Sequence, residues 1–197
     1  GTADVHGAPL GAEGCAEAKR NLGLPENEQF YVVPEAYEFF AKRREELAQA
    51  EADWKKEFDS WAKENPELAK KWDEYWNQKP TGTAAAPEYK VGDKLATRDA
   101  SGKSLNCMAD RYEWLVGGSA DLQGPNKTKV KNDDGTYSAS NRKGRTIEYG
   151  IREFAMSQVM SGINLHGGLR SFGATFLVFC DYLRPSLRVA ALSRLPN

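Results

Sequence analysis

Beyond residue 95 the chain repeats one pattern: a short apolar run, a loop, an amphipathic helix, then another short apolar run. Helix-period segments fall at about 98–111, 152–165 and 185–192, and strand-like runs at 114–116, 146–149 and 174–179. Strands separated by helices cannot pair through tight hairpins, so they pair in parallel and bury both faces under helices. The expected fold class is therefore α/β, a partial parallel sheet flanked by helices.

The first half of the chain reads differently. Residues 12–22 form a short helix pattern closed by Gly23, and an extended segment at 30–33 stops at Pro34. From 35 to 65 the pattern is a long amphipathic helix, with Tyr37, Phe40, Leu47, Trp54, Phe58 and Trp61 near one stripe. Asn65 then offers a cap and Pro66 a first helical residue, and Leu68, Trp72, Tyr75 and Trp76 share the face of a second helix. Four of the five tryptophans lie in these two helices, and such a stripe is expected to dock on a neighbouring domain rather than bind a ligand. Residues 80–94 (PTGTAAAPEYKVGDK) have the composition of a linker. The divisions expected are thus 1–34, a helical connecting segment at 35–79, the linker at 80–94, and the sheet-bearing part at 95–197. The polar stretch 126–145 reads as a long surface loop whose basic residues are either solvated or an anion patch.

Charge and cysteine usage narrow the function classes. With 27 basic and 28 acidic side chains, a net charge of −1 gives no global attraction to nucleic acid or to an anionic membrane. Three widely spaced cysteines, Cys15, Cys107 and Cys180, make neither a disulfide framework nor a zinc motif, which fits a reducing, cytoplasmic setting. No apolar run approaches the roughly 20 residues of a membrane helix. The chain starts at Gly1 without Met and stops at Asn197 where an α/β chain would enter its next strand, so both ends read as cut.

In open α/β sheets, ligands bind at the carboxyl ends of the strands. Three segments fall there. Gly117 and Gly118, followed by Ser119, Ala120 and Asp121, read either as a plain turn or as backbone that approaches a ligand beside a carboxylate. Glu153 stands in the first turn of a helix, either because acidic side chains favour that end or because a shielded carboxyl there exchanges a proton with a ligand nitrogen. Phe176, Phe179 and Tyr182 are either core residues or a stacking wall for a flat heterocycle.

Taken together, the runs HGAPLG, GGSAD, GRTIEYGIREFAM and GINLHGGLRSFGATFLVFCDYLRPSLRVAALSRLP, in that order, resemble the transketolase family along the whole chain, least through the two amphipathic helices. The resemblance implies a thiamine-diphosphate-binding fold, in which 1–34 ends the diphosphate-binding domain and 95–197 is the first half of the pyrimidine-binding domain. It implies transfer of a two-carbon ketol unit between ketose and aldose phosphates in a homodimer, with the cofactor between subunits. Glu153 matches the glutamate that hydrogen-bonds the cofactor's pyrimidine nitrogen, Asp121 a cofactor-contacting aspartate, and Phe176, Phe179 and Tyr182 the aromatic pocket around that ring. Arg98, in LATRDAS, matches the arginine on the substrate phosphate, where a guanidinium fork suits phosphate oxygens. His6, in HGAPLG, matches a histidine beside diphosphate and substrate, whereas His166 matches no catalytic position and is expected to be structural. One departure stands out: Pro125 occupies the place of a phosphate-contacting serine, and it has no hydroxyl and no N–H to give. The Gly-Asp-Gly motif that anchors magnesium does not occur, so Mg2+ ligands are expected outside this segment, none within it, and the isolated segment is expected to be inactive. A dihydroxyacetone-synthase-like ketol transferase and a non-catalytic interaction module are the competing readings.

Overall fold

The computed structural model describes residues 3–131 and 134–197. They fall into two compact units, the first ending at Lys63 and the second beginning at Glu64.

The first unit is helical. After a 3-10 turn at Ala3–Val5 comes helix α1 (Gly11–Asn21), where Leu24 N–H donates back to the Lys19 carbonyl at 2.8 Å. The Lys19 ammonium donates to the Glu28 carbonyl (2.5 Å), and Arg20 pairs with Glu26 (2.7 Å), tying the following loop to α1. No strand forms at 30–33, and Phe30 is 96% exposed. Helix α2 (Pro34–Glu64) is long and amphipathic as its period dictates, with local pairs such as Glu51–Lys55 (2.6 Å) along its polar side.

The second unit opens with helix α3 (Pro66–Trp76). Pro66 takes the first helical position, while Asn65 contributes its carbonyl to Ala69 N–H (2.9 Å) and no side-chain cap. Helix α4 (Thr97–Arg111) leads into strand β1 (Leu115–Ser119), the short helix α5 (Gln123–Asn126), strand β2 (Thr146–Glu148), helix α6 (Glu153–His166), strand β3 (Arg170–Ala174), a 3-10 segment at Leu177–Tyr182, and helix α7 (Arg184–Leu192). Among the described residues the three strands form one parallel sheet in the order β2-β1-β3. Gly118 lies opposite Ile147 on one side and Gly173 on the other.

Side chains alternate across β1 and build a core on each face. Leu115, with Phe172 of β3 and Ala109 and Leu105 of α4, packs with Trp114 and Val130 on one side. On the other, Ala120, Tyr149, Met156, Met160 and Leu183 pack together with Ile147 against them. At about 25 cal/mol per Å2 of apolar surface, these burials are the main stabilising term of the unit. Helix α3 docks here too. Trp76 lies 5.9 Å from the His166 ring, Trp114 Nε1 donates to the Lys79 carbonyl (2.7 Å), and Lys71 pairs with Glu113 (2.9 Å).

Three expectations need correction. Gly117 and Gly118 are not a turn but the middle of β1, where a Cβ on Gly117 would strike the Phe172 carbonyl and one on Gly118 the Ile147 carbonyl. The third strand is Arg170–Ala174, not 174–179, because the register with β1 is satisfied by Leu115 to Ser119 against Arg170 to Ala174. The apolar run beyond it is 3-10, with Leu177 84% and Val178 73% exposed. Finally, the 126–145 stretch is not wholly a surface loop. Asn126, Thr128 and Val130 are buried at its start, and Gly144 is buried near its end.

Candidate active site

Three strand ends converge on one cavity. At the end of β1 the chain turns away from Ser119 and Ala120, both buried, through Asp121 and Leu122 in left-handed backbone (φ 57° and 50°). At the end of β2, residues Tyr149 to Arg152 form a tight turn in which the Arg152 guanidinium donates to the Tyr149 carbonyl (3.0 Å), and Glu153 begins α6. After β3 the chain reaches Phe176, which precedes the 3-10 segment; Phe179 N–H donates to the Phe176 carbonyl (2.8 Å). The Phe179 and Tyr182 rings sit 6.4 Å apart, centroid to centroid.

The cavity measures about 410 Å3 and is lined by Ala120, Asp121, Leu122, Ile151, Glu153, Phe179 and Tyr182. Four residues singled out from the sequence thus come together: Asp121, Glu153, Phe179 and Tyr182. Phe176 is half-buried at the head of the aromatic turn and is not among the lining residues. Arg98 stands exposed in the first turn of α4, outside this lining. His6 is in the first unit, exposed, its N–H donating to the Ala3 carbonyl at 3.0 Å. His166 packs on Trp76 at the far end of α6, which fits a structural place.

Glu153 is the unusual group. It is 8% exposed, and among the described residues no donor reaches its carboxylate. Its carboxylate oxygens are not among the fully buried unpartnered atoms and keep access to the cavity, where an entering donor can reach them. The positive end of α6 partly offsets the charge. Around it the lining is apolar or aromatic apart from the Asp121 carboxylate, with no cationic side chain. A flat heterocycle with ring nitrogens and an amino group would answer this chemistry, since Phe179, Tyr182, Leu122 and Ile151 offer apolar surface and Glu153 a carboxylate. The residues present fit the pyrimidine part of thiamine diphosphate on that ground. Among the described residues no group of three or more His, Cys, Asp or Glu side chains is gathered that could hold a metal ion.

A larger groove of about 910 Å3 lies elsewhere, among α3, the loop before β2, and α6, and contains none of the expected site residues. Several of its polar groups are already engaged: Lys71 with Glu113 at 2.9 Å, Arg142 with the Tyr137 hydroxyl at 2.7 Å, and the Arg145 guanidinium with the carbonyls of Ala109, Tyr112 and Glu113. Size favours that groove and chemistry the smaller cavity.

Sequence reasoning missed Leu122 and Ile151 as lining residues. Ile151 could have been suspected, since an apolar residue between Gly150 and Arg152 in a strand-to-helix turn has no core to face, and it is 79% exposed. Pro125 is third in the four-residue α5, where its missing N–H would have had no intrahelical partner, so the turn tolerates it.

Residues 93–197 match the family model for the transketolase pyrimidine binding domain, and residues 1–80 that for the transketolase thiamine diphosphate binding domain. The transketolase of Treponema pallidum is 45% identical over 202 residues, covering 100% of this chain and 30% of that protein. That of Bacillus subtilis is 42% identical over 205 residues with the same coverage, 100% and 30%. Among solved structures, the Pichia stipitis transketolase complex with sedoheptulose 7-phosphate superposes with a TM-score of 0.82 at 30% identity, over 97% of this chain and 30% of that one. The Campylobacter jejuni transketolase gives 0.72 at 35% identity, over 95% and 28%. The chain spans about 30% of the length of the curated relatives it matches.

Proposed function

The chain belongs to the transketolase family, and from that premise we propose that the protein containing it transfers a two-carbon ketol unit between a ketose phosphate and an aldose phosphate, this segment supplying the wall that receives the pyrimidine ring of thiamine diphosphate. The observation that carries the proposal is Glu153, 8% exposed and with no protein donor on its carboxylate among the described residues, at the carboxyl end of a parallel sheet in a cavity it shares with Asp121 and with apolar and aromatic side chains. Residues 1–34 then end the diphosphate-binding domain, 35–94 connect and link, and 95–197 begin the pyrimidine-binding domain.

Bound thiamine diphosphate supplies the nucleophilic, charge-accommodating carbon that ketol transfer requires. The chain's own residues orient and protect it. Glu153 shares a proton with a ring nitrogen, and a water-shielded carboxyl does this better than an exposed one. Phe176, Phe179 and Tyr182 stack on the ring, Asp121 contacts its edge, and Leu122 and Ile151 exclude water. Arg98 holds the substrate phosphate through its fork of donors, and His6 serves the diphosphate and sugar side. Magnesium would take its ligands from sequence beyond this segment.

Sugar phosphates as substrates are supported by the Pichia stipitis enzymes solved with sedoheptulose 7-phosphate and xylulose 5-phosphate. Homodimerisation is supported by exposed apolar side chains, Ile151 in the cavity lining at 79% and Leu177 and Val178 in the 3-10 segment that carries Phe179 at 84% and 73%. A reducing, cytoplasmic setting is supported by three unpaired cysteines. Because so little of the relatives' length is present, the 197-residue chain by itself is expected to show no turnover.

The test is Glu153→Gln in the complete polypeptide, assayed from xylulose 5-phosphate to ribose 5-phosphate. Loss of a positioned proton partner should lower the rate by about 10²- to 10⁴-fold. A variant that transfers ketol groups at the parent rate would sink the proposal.

A further inference from the structure

The loop leaving β1 is held in a shape that the chain does not favour unaided. Asp121, Leu122 and Lys127 all have left-handed backbone, with φ of 57°, 50° and 57°, and each carries a Cβ that disfavours it. Such backbone persists where its surroundings over-determine it. Two loop bonds contribute: Asn126 N–H to the Leu122 carbonyl at 2.8 Å, and Lys127 N–H to the Gly124 carbonyl at 3.2 Å.

The third restraint is a chain of buried side-chain bonds. Asn126 and Ser119 are 8% and 2% exposed. Asn126 Nδ2 donates to Ser119 Oγ at 2.5 Å, and the Ser119 hydroxyl donates to the Ala174 carbonyl at 3.0 Å. Ala174 also accepts Ala120 N–H at 3.0 Å, so this carbonyl takes both. Directions follow from the inventory of donors. A hydroxyl has one proton, which goes to Ala174, and so only the amide nitrogen of Asn126 can satisfy its lone pair. Neither side chain lines the cavity, yet the bonds run between two of its walls: one end fixes the segment carrying Asp121 and Leu122, and the other grips β3 two residues before Phe176.

Resting on the reading of this cavity as the pyrimidine site, we infer that Ser119 and Asn126 are positioning residues that clasp the Asp121 segment to the end of β3 and so set the gap between Asp121 and the aromatic turn Phe176 to Tyr182. A flat ring is gripped only when that gap is fixed before it arrives. Losing either bond frees the loop from its left-handed path and lets the wall drift, while Glu153, held by α6, stays in place.

The experiment uses the complete polypeptide with Ser119→Ala, Asn126→Ala and the double variant. Thiamine diphosphate affinity is read by calorimetry, alongside kcat at saturating cofactor and KM for xylulose 5-phosphate. Each single change should weaken cofactor binding by about tenfold or more, and the double by no more than about twofold beyond the worse single, because the two act through one chain of bonds. The sugar KM should move less than the cofactor Kd. Cofactor affinity within about twofold of the parent in both singles, or a double effect equal to the product of the singles, overturns the inference. In the unaltered enzyme, cofactor should slow amide exchange in residues 120–127 and 176–182 together, and protection of one segment without the other also overturns it. The two proposals fail separately: an active Glu153→Gln removes the site itself, whereas an inactive one beside full affinity in Ser119→Ala and Asn126→Ala removes only the clasp.

Discussion

Helices α2 and α6 are both amphipathic, and they reach opposite ends. Helix α6 is 14 residues long and buries Glu153, Met156, Ser157, Met160 and Ser161. Helix α2, at 31 residues, buries none. Along it Phe40 is 63% and Trp54 52% exposed, while Trp54 stacks on Phe58 at 5.2 Å and Phe58 meets Trp61 at 5.6 Å. The difference lies in where the cover is encoded. The elements that cover α6 follow it closely in sequence, β3 first and then the 3-10 segment and α7, with Ile147 of β2 packed at their edge. An apolar stripe therefore says that a helix needs a partner and nothing about whether the partner is near in sequence.

The comparison can be broken at the sheet. Gly118→Val places a side chain against the Ile147 carbonyl, so β1 can no longer lie between β2 and β3. In the 197-residue chain the expected loss exceeds about 4 kcal/mol, enough to abolish cooperative urea unfolding of the second unit, while helical circular dichroism from α2 persists. If the variant unfolds at the parent's midpoint, the sheet is not what organises this unit.

A sharper contrast pairs one residue from each helix. Met156 is 2% exposed and Trp54 52%. Met156→Ala should cost about 2 to 5 kcal/mol in urea titration, and Trp54→Ala less than about 0.5 kcal/mol, although it removes far more apolar surface. Equal losses would mean that the α2 stripe is covered and that the contrast is false.

These outcomes also explain what could be read in advance. Periodicity is local, so α2, α3 and α6 were legible to within a residue or so from their stripes and caps. Pairing is not local. The segment Arg170–Ala174 carries Arg, Ser and Gly and has little strand character, yet it is the strand, because β1 presents it with a matching edge. The apolar run after it looks like a strand and instead exposes Leu177 and Val178. Similarly, Gly117 and Gly118 look like a turn until the flanking carbonyls are seen to leave no room for a side chain. In the cavity, Glu153, Asp121, Phe179 and Tyr182 could be suspected because they follow strands, whereas the Asn126–Ser119–Ala174 bonds span 55 residues at one step and depend on sheet register.

A smaller effect than the loss of Met156 tests the core beneath α6. Tyr149 packs with Met156 and Met160, and its hydroxyl is buried with no hydrogen-bond partner among the described residues. Burial pushes its pKa up to about 12. Because the unfolded phenol titrates near 10, stability held by the neutral form is complete below about pH 10 and is lost as pH rises through the folded value near 12. Tyr149→Phe removes both the unpaired hydroxyl and this titration. At neutral pH it should raise stability by about 1 kcal/mol, and its advantage over the parent should widen between about pH 10 and 12. A loss of stability at neutral pH would show that the hydroxyl has a partner, and then the core under α6 is less dry than its contrast with α2 requires.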